Sequence, residues 1–380
     1  MKILIATDLY ESNVSGIVSS VTILKKGLEK KGHDVRILAL SDSSREKKKK
    51  NVYYIGSFNA SFIYPDVRIG LPKVNSCIQR LIDWNPDVIH TNCEFSTFAA
   101  ACYISRKTNH TPIVLTYHTV YKEYVNYVPL IKPVILMTFP FLHRLIARKA
   151  SVIIAPTVKM KRMLKKFRLP VKIPVIPTPA AEYFLTRDYS SFRDEIRLKL
   201  GIGKDESILI YLGRIAREKN IEELLDYVKH GNLRLLLVGD GPHRKVLEKY
   251  CLENNISDRV IFAGMVSPED VPKYYGAGDI FVTASVSEAQ GLTYLEAMSC
   301  SLPVLCRYDS CLDGVIVNEK NGFIYHTEDE FMHYTNLLKD NPSLRKSVGY
   351  EARKLILEKY TPEIFTRSCE KVYRYLVRKK

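Results

Sequence analysis

The sequence predicts an α/β protein made of two doubly wound parallel-sheet domains in tandem. The chain has 380 residues, about the length of two average domains. Short apolar runs rich in Ile, Leu and Val alternate with helical patterns, which is typical of parallel sheets covered by helices on both faces. Strand patterns stop and polar residues gather at 178–192, so we place the join between the domains there.

The predicted strands follow one another along both halves of the chain. In the first half they are KILIAT (2–7), DVRILAL (34–40), DVIHTN (87–92), PIVLTYH (112–118), SVIIAPT (151–157) and IPVIP (173–177). In the second half they are SILIYLG (207–213), RLLLVGD (234–240), RVIFAG (259–264), DIFVTAS (279–285) and LPVLCRY (302–308). We therefore predict an N-terminal domain at 1–182 and a C-terminal domain at 183–361. The helical pattern at 362–380 has no strand after it, and we expect it to pack back on the N-terminal domain.

Sequence composition indicates the compartment in which the protein is expected to work. The first residues lack the charged head and apolar middle of a signal peptide. The longest apolar stretch, at 133–142, is broken by a proline and is far shorter than the roughly 20 residues that span a bilayer. None of the eight cysteines forms a C-x-x-C pair, as expected for buried thiols in a reducing compartment. These features predict a cytoplasmic protein without a membrane span and without a metal site.

Positive charge is concentrated in the first half of the chain. Residues 1–180 contain 28 lysines and arginines against 11 acidic residues, whereas residues 181–380 contain 29 against 30. From Tyr124 to Ala181 there is no acidic residue at all. We therefore expect the first half to face an anionic partner, either nucleic acid or anionic lipid.

Several phosphate-binding motifs are absent from the sequence. It contains neither the G-x-G-x-x-G dinucleotide fingerprint nor a P-loop, which disfavours a dehydrogenase or a P-loop ATPase. It also has no D-x-D triplet to hold a metal-bound nucleotide diphosphate. A diphosphate bound here must therefore be neutralised by side chains and backbone.

The loop GRIAREKN (213–220) offers such side chains. Arg214 follows the first strand of the second half, and Lys219 precedes the next helix. Ligands of open parallel sheets bind beyond the carboxyl ends of the strands. An arginine fork and a lysine point charge on such a loop could hold a diphosphate. The alternative is that both are ordinary surface charges.

The stretch SEAQGLTYLEAM (287–298) follows the strand DIFVTAS. Glu288 lies in the loop, where a carboxylate suits the hydroxyls of a ligand. Gly291, Leu292 and Thr293 lead into a helix whose first N–H groups favour an anion. Glu296 has an alternative role, because Thr293-x-x-Glu296 fits a capping box.

The two loop motifs described above resemble those of a known enzyme family. The E-x7-E stretch, preceded by the GR-x4-K loop, resembles the signature of retaining GT-B glycosyltransferases of family 4. The resemblance extends over the whole chain, from MKILIATDLYESNVSGIVSSV to GDGPHRKVLE and FAGMVSPEDV. TYHTVYKEYVNYV (116–128) and SEAQGLTYLEAM together are similar to the bacterial 1,2-diacylglycerol 3-glucosyltransferases, the alpha-monoglucosyldiacylglycerol synthases among them. This implies two Rossmann-like domains with a cleft between them.

The resemblance also implies roles for individual residues. Arg214 and Lys219 would stabilise the charge on the departing UDP, Glu288 would bind hydroxyls of the donor sugar, and His118 would contact its 6-hydroxyl. The donor-binding residues would be Gly16, Met265, Gly291, Leu292, Thr293 and Glu296, with Gly16 near the diphosphate, Met265 near the base and Glu296 at the ribose. A satisfied strand-end histidine is the alternative for His118. None of these residues is an obvious nucleophile, which agrees with front-face retaining transfer and no required cofactor. A non-essential stimulation by magnesium, acting on the lipid surface, is compatible with this scheme.

Tyrosines and cations mark the expected acceptor side. Tyr121 and Tyr124 follow His118 and share helical spacing with Tyr117, which suits a lipid headgroup boundary or, alternatively, core packing. In TVKMKRMLKKFRL (157–169) the apolar stripe is Met160, Met163, Leu164 and Phe167. The cations of the other face include Lys161, Arg162, Lys165 and Lys166. The segment FLHRLIARKA repeats this pattern, with Phe141, Leu142, Leu145 and Ile146 predicted on one side.

The expected function is transfer of an α-glucosyl group from UDP-glucose to the 3-hydroxyl of diacylglycerol, at the cytoplasmic face of an anionic phospholipid membrane. Alternatives are a family-4 enzyme with a cell-wall, polysaccharide or other glycolipid precursor as acceptor, and a UDP-sugar 2-epimerase, which would leave the basic half unexplained. A non-catalytic anion- or nucleic-acid-binding protein is disfavoured, because the sequence has no recognised nucleic-acid-binding module and its basic residues lack interleaved stacking aromatics in a groove pattern. We therefore expect no nucleic-acid partner.

Overall fold

The computed structural model describes residues 1–10, 15–61, 67–70, 75–118, 141 and 143–379. Internal contacts divide the chain into two compact units. The first unit is Met1–Thr178 with Pro362–Lys380, and the second is Pro179–Thr361. The division lies close to the predicted join, and the final helix belongs with the first unit. No helix among the described residues is both long and apolar enough to cross a membrane.

The first unit is built around a seven-stranded sheet. Its strand order is β3-β4-β2-β1-β7-β8-β9, and every pairing is parallel except that of β3 with β4. A two-stranded ribbon pairs β5 with β6. The strands are β1 Lys2–Thr7, β2 Asp34–Leu40, β3 Lys47–Lys49, β4 Val52–Ile55, β5 Ser57–Asn59, β6 Arg68–Gly70, β7 Val88–Thr91, β8 Ile113–Thr116 and β9 Val152–Ile154. The edge strand β3 consists of three exposed lysines, which discourage pairing with another chain.

Helices flank this sheet. Those whose bounds lie within the described residues include Gly16–Lys30, Ser76–Trp84, Ser96–Lys107, Val158–Lys165 and Pro362–Lys379. The final helix packs against Gly16–Lys30, where Gly27 faces Thr366. On β7, the buried Nδ1 atom of His90 lies 2.5 Å from the hydroxyl of Tyr373, which ties the final helix to the sheet.

The second unit contains a six-stranded parallel sheet with the order β12-β11-β10-β13-β14-β15. The strands are β10 Leu209–Leu212, β11 Leu235–Val238, β12 Val260–Gly264, β13 Ile280–Thr283, β14 Val304–Arg307 and β15 Phe323–Tyr325. The helices are Tyr183–Thr186, Arg193–Leu200, Ile221–Gly231, Arg244–Glu253, Val271–Ala277, Leu292–Ser299, Glu328–Asp340 and Pro342–Lys359, with short 3₁₀ turns at Ser190–Phe192 and Arg217–Lys219.

Alternate strand residues of the second unit enter two separate cores. Ile210 and Leu236 pack on one face with the helix Leu292–Ser299. Leu209 and Leu235 pack on the other face with helices that include Ile221–Gly231. Burial on both faces explains why these strands are continuous apolar runs, as the sequence pattern predicted.

The structure corrects some of the predicted elements. IPVIP is not a strand: this region makes only isolated bridges, Val152 with Lys172 and Ala155 with Val175. Prolines 174 and 177 lack the N–H groups that a continuous ladder needs. The strands β3 to β6 and β15 were not predicted. Four of these five have only three residues, too few to show a period.

Candidate active site

The loop after β10 carries the two predicted diphosphate ligands. Arg214 lies two residues beyond the end of the strand, and its backbone carbonyl accepts a hydrogen bond from the buried Tyr211 hydroxyl at 3.0 Å. Its guanidinium is exposed and lies 3.2 Å from a carboxylate oxygen of Glu218. Lys219 ends the 3₁₀ turn Arg217–Lys219, just before the helix Ile221–Gly231. Both cations therefore lie beyond the carboxyl end of β10.

Lys219 and Glu288 are brought together by two neighbouring strands. Glu288 lies beyond β13, which pairs with β10, and its Oε1 atom is 2.6 Å from Nζ of Lys219. The Ser285 hydroxyl donates to the same oxygen at 2.8 Å. The Ser287 hydroxyl donates to the carbonyl of Glu218 at 3.0 Å, so the two loops are also joined through the backbone. The result is a partly buried cation–carboxylate pair at the carboxyl edge of the sheet.

The predicted helix after this loop is present and begins at Leu292, with Gly291 as its N-cap. Gly291 has a φ of +74°, and a Cβ atom there would lie 2.1 Å from the ring of Tyr294. Only glycine therefore fits this position. The first N–H groups of the helix, including those of Leu292 and Thr293, face its open N-terminus, where an anion is favoured.

The capping box that was the alternative explanation for Glu296 is not formed. Thr293 lies inside the helix, and the cap has no side-chain hydrogen bond. The Tyr275 hydroxyl instead donates to Glu296 Oε2 at 3.2 Å. Burial raises the pKa of Glu296 to about 7, although the hydrogen bond from Tyr275 opposes this shift. Glu296 is thus a half-buried carboxyl group with a raised pKa, and helix capping does not explain it.

Met265 and Asp309 complete the edge of the second sheet. Met265 follows β12, two strands from β10, and 73% of its surface is exposed. Asp309, which follows β14, is buried and accepts hydrogen bonds from the backbone N–H groups of Glu288 at 3.2 Å and Cys311 at 2.9 Å. Asp309 therefore fixes the backbone of the Glu288 loop, a role that sequence reasoning missed.

In the first unit, His118 lies two residues beyond the end of β8 rather than in the strand. Its Nε2 atom is 3.0 Å from Oδ1 of Asn92, which follows β7. Burial lowers the pKa of His118 to about 4, so the ring is neutral at physiological pH. Gly16 is exposed and begins the helix Gly16–Lys30, which Ser15 caps.

Two carboxyl groups at the same edge of the first sheet were missed. Asp8 follows β1 and accepts a hydrogen bond from the backbone N–H of Thr97 at 2.8 Å. Burial raises the pKa of Asp8. Glu94, two residues beyond Asn92, is also buried. Polar residues directly after an apolar strand were the signal that could have found Asp8, Asn92 and Glu94.

The predicted acceptor tyrosines lie outside the described residues, since both Tyr121 and Tyr124 fall within 119–140. Tyr117 corrects part of that prediction. It is buried, and its hydroxyl contacts Nε2 of His143. At this position the core-packing alternative holds, because Tyr117 follows directly from the buried strand β8.

The basic helix is Val158–Lys165, shorter than the predicted span. Met160 and Leu164 are buried, and Met163 and Phe167 are partly exposed. We call the exposed or partly exposed cations Lys161, Arg162, Lys165 and Lys166 the basic face. In the segment before it, the predicted apolar side is not the buried one: His143 and Ala147 are buried, whereas Phe141 and Leu145 are exposed by 69% and 47%.

Comparisons with known proteins identify the family. Residues 14–180 match the model of Glycosyltransferase Family 4, and residues 192–355 match that of Glycosyl transferases group 1. The alpha-monoglucosyldiacylglycerol synthase of Streptococcus pneumoniae is 33% identical over 341 residues, covering 87% of this chain and 76% of that protein. The protein of the same name from Acholeplasma laidlawii is 29% identical over 400 residues, covering 100% and 98%.

A solved structure shows the same fold over the full length. Sucrose-phosphate synthase from Thermosynechococcus elongatus superposes with a TM-score of 0.78 at 19% identity and covers 100% of both chains. Together with the two family models and the relative at 33% identity, this means that the chain belongs to glycosyltransferase family 4 and has the GT-B fold.

Proposed function

We propose that this glycosyltransferase moves an α-glucosyl group from UDP-glucose to the 3-hydroxyl of 1,2-diacylglycerol at an anionic membrane surface. The proposed binding of UDP-glucose is supported by Arg214 and Lys219 on one loop and Glu288 on the next, just before the helix that starts at Leu292. Two cations and a helix N-terminus suit a diphosphate, and a carboxylate suits sugar hydroxyls. Glu296 would take the ribose, and Met265 would lie near the base.

The transfer requires one bond to break and one to form. The bond from the anomeric carbon to the β-phosphate oxygen of UDP breaks, and a bond from that carbon to the acceptor oxygen forms on the same face. The acceptor proton passes to the departing phosphate, which leaves as UDP. Arg214 and Lys219 would stabilise the charge that develops on this phosphate, the type of interaction that often contributes most to catalysis.

The acceptor half is supported by the relatives and by the surface of the first unit. Both relatives described above carry the name alpha-monoglucosyldiacylglycerol synthase. Phe141 and Leu145 are exposed, and Nε of Arg144 in the same segment donates at 3.1 Å to the carbonyl of Phe167, the residue that follows Lys166 of the basic face. Apolar side chains rimmed by cations suit an anionic lipid interface. The protein would therefore work as a peripheral enzyme on the cytoplasmic leaflet.

Transfer from radiolabelled UDP-glucose tests this proposal. The full chain is incubated with diacylglycerol in mixed micelles that contain phosphatidylglycerol, and the labelled lipid is treated separately with α- and β-glucosidase. We expect a glucolipid that only α-glucosidase cleaves. Parallel reactions contain UDP-galactose as donor, or a soluble glycan as acceptor. Transfer to the soluble glycan but not to diacylglycerol would refute the lipid acceptor, and a β-linked product would refute retention.

Metal independence follows from the same cluster. Because Arg214 and Lys219 would neutralise the diphosphate themselves, transfer should survive an excess of EDTA. Modest stimulation by added magnesium remains compatible, since divalent ions also act on anionic lipid. Complete loss of activity in EDTA, restored by magnesium, would show that the two cations are insufficient.

A further inference from the structure

Asn92 is a buried amide at the carboxyl edge of the first sheet. Only 2% of its surface is exposed, and its backbone N–H donates to the carbonyl of Ala6 at 2.8 Å, so the residue is anchored to β1. Its Oδ1 atom lies 3.0 Å from Nε2 of His118. Its Nδ2 amide has no hydrogen-bond partner within the described part of the chain. A buried donor without a partner costs about 1–3 kcal/mol, so its retention calls for an explanation.

The contact between Asn92 and His118 determines where the ring proton lies. A carbonyl oxygen can only accept a hydrogen bond, so the ring nitrogen that faces Oδ1 must carry the proton. Because burial lowers the pKa of His118 to about 4, the ring holds only this one proton at physiological pH. Nδ1, on the other side of the ring, therefore presents a lone pair.

We propose that Asn92 is a positioning residue that holds His118 as the Nε2–H tautomer, so that Nδ1 accepts a hydrogen bond from a hydroxyl of the donor sugar. This inference rests on the proposed function and on the role that the family resemblance implies for His118, a contact with a hydroxyl of the donor sugar. The edge then presents one acceptor, Nδ1 of His118, and one donor, the Nδ2 amide of Asn92. This pairing suits hydroxyl groups, which both donate and accept.

Other titratable groups lie near this pair. His90, on β7, is also neutral: burial, with a contribution from His118, lowers its pKa to about 3. Asp8 and Glu94 lie beyond the carboxyl ends of β1 and β7, and burial raises the pKa of Asp8. Burial alone accounts for the lowered pKa of His118. A new charge at position 92 should therefore produce a clear change in the titration of His118.

Nitrogen NMR of the histidine rings tests the tautomer directly. In the full-length protein labelled with ¹⁵N, His118 should show a protonated Nε2 and an unprotonated Nδ1. Asn92→Asp keeps an accepting oxygen and adds a negative charge, so it should retain this tautomer and raise the pKa of His118 by about one unit or more. Asn92→Leu should leave a mixture of tautomers. A wild-type ring protonated on Nδ1, as the flipped amide would give, would overturn the proposal.

Calorimetric binding of UDP and UDP-glucose tests the consequence. Because His118 would reach only the sugar, Asn92→Leu should weaken UDP-glucose binding by about tenfold and leave UDP binding unchanged. Asn92→Asp should recover much of the loss. Tyr373→Phe is the matched control, because it removes one of the hydrogen-bond partners of the buried His90 ring, Tyr373 and Thr116, and should not change the ratio of the two affinities.

The outcomes separate the inference from the proposed function. Wild-type binding of UDP-glucose with an unchanged affinity ratio in Asn92→Leu would overturn the positioning role. A wild-type protein that does not bind UDP-glucose would instead contradict the proposed function, and the NMR measurement would still decide the tautomer.

Discussion

Lys219 and Glu288 form an ion pair, so each side chain holds the charged group of the other in place. With 2.6 Å between Nζ and Oε1, the carboxylate holds the ammonium group at the carboxyl edge of the sheet. Lys219→Ala should therefore lower kcat by about 10²- to 10³-fold, the range for loss of one charge-stabilising donor. Lys219→Arg keeps the charge and should lose less.

A matched control tests whether the fall in kcat comes from the loss of Lys219 in particular or from the loss of any ion pair. Lys204→Ala removes a lysine that pairs with Asp194 at 3.5 Å on the exposed surface of the same unit, and it should leave kcat unchanged. Thermal unfolding of both variants checks that the fold is intact. Equal kcat in Lys219→Ala and wild type would remove Lys219 from the reaction.

Glu296 should make the stability of the second unit depend on pH. Burial raises its pKa from an ordinary value of 4.5 to about 7, so the folded protein holds a proton that the unfolded chain releases. Stability from this group is therefore present below about pH 4.5 and is lost as the pH rises towards 7. Glu296→Gln removes this titration. The free energy of unfolding of the variant minus that of the wild type should therefore rise by about 1–3 kcal/mol between acidic and slightly alkaline pH.

Chemical denaturation across this pH range measures that difference. Glu269→Gln, which removes an exposed carboxyl group of the same unit, is the control and should show no comparable trend. A constant difference between Glu296→Gln and wild type at all pH values would show that Glu296 ionises normally in the folded protein.

At the scale of elements, the final helix depends on close packing with the helix Gly16–Lys30. A Cβ atom on Gly27 would lie 2.1 Å from Oγ1 of Thr366, whose side chain is buried. Alanine at an open helical site gains about 1 kcal/mol over glycine. Here the steric conflict should outweigh that gain, so Gly27→Ala should destabilise the protein by about 1–3 kcal/mol in urea denaturation.

A double-mutant cycle identifies the cause. Thr366→Ala removes the atom that the new methyl group would meet, so Gly27→Ala should be neutral or stabilising in that background. If Gly27→Ala destabilises equally with and without Thr366, the contact between the helices is not responsible.

The order of the elements could be predicted from the sequence because strands buried on both faces must be continuous apolar runs. The segments ILIA and LLLV both became central strands for this reason. Short edge strands such as Phe323–Tyr325 lack such a run and were missed. IPVIP shows the opposite error, because hydrophobicity suggested a strand that its prolines prevent.

Some residues of the candidate site could be predicted from the order of the strands, whereas others could not. Lys219 and Glu288 come together because their loops leave the adjacent strands β10 and β13, and Arg214 lies on the same loop as Lys219. Asn92 and Asp309 were missed because their importance lies in hydrogen bonds to groups that are distant in the sequence. The capping box failed because Gly291, at positive φ, already starts the helix.

At the scale of the whole molecule, the two units differ in charge rather than in architecture. Both contain a mainly parallel sheet with polar groups beyond the carboxyl ends of the strands. The acidic-free segment from Tyr124 to Ala181 belongs almost entirely to the first unit. An excess of positive charge on one unit is not needed for solubility. It does strengthen binding to anionic lipid, since each cation near the leaflet contributes about 1 kcal/mol of binding free energy.

Binding to vesicles should therefore depend on the basic face and on lipid charge. In liposome sedimentation, the wild type should bind more as the phosphatidylglycerol or cardiolipin fraction rises, and less as salt screens the charges. Changing Lys161, Arg162, Lys165 and Lys166 together to Gln should weaken binding to anionic vesicles by about tenfold or more. Changing Phe141 and Leu145 to Ser should weaken binding as well, by removing apolar contact with the acyl region.

The control for this prediction keeps the total charge equal but changes its place. Four exposed lysines of the second unit are changed to Gln, so the net charge falls by the same amount: Lys204, Lys245, Lys249 and Lys320. If the first unit carries the contact, this control should bind vesicles much as the wild type does. Equal losses in both variants would mean that only net charge matters. Equal binding of the wild type to neutral and anionic vesicles would exclude electrostatic docking and favour a soluble acceptor.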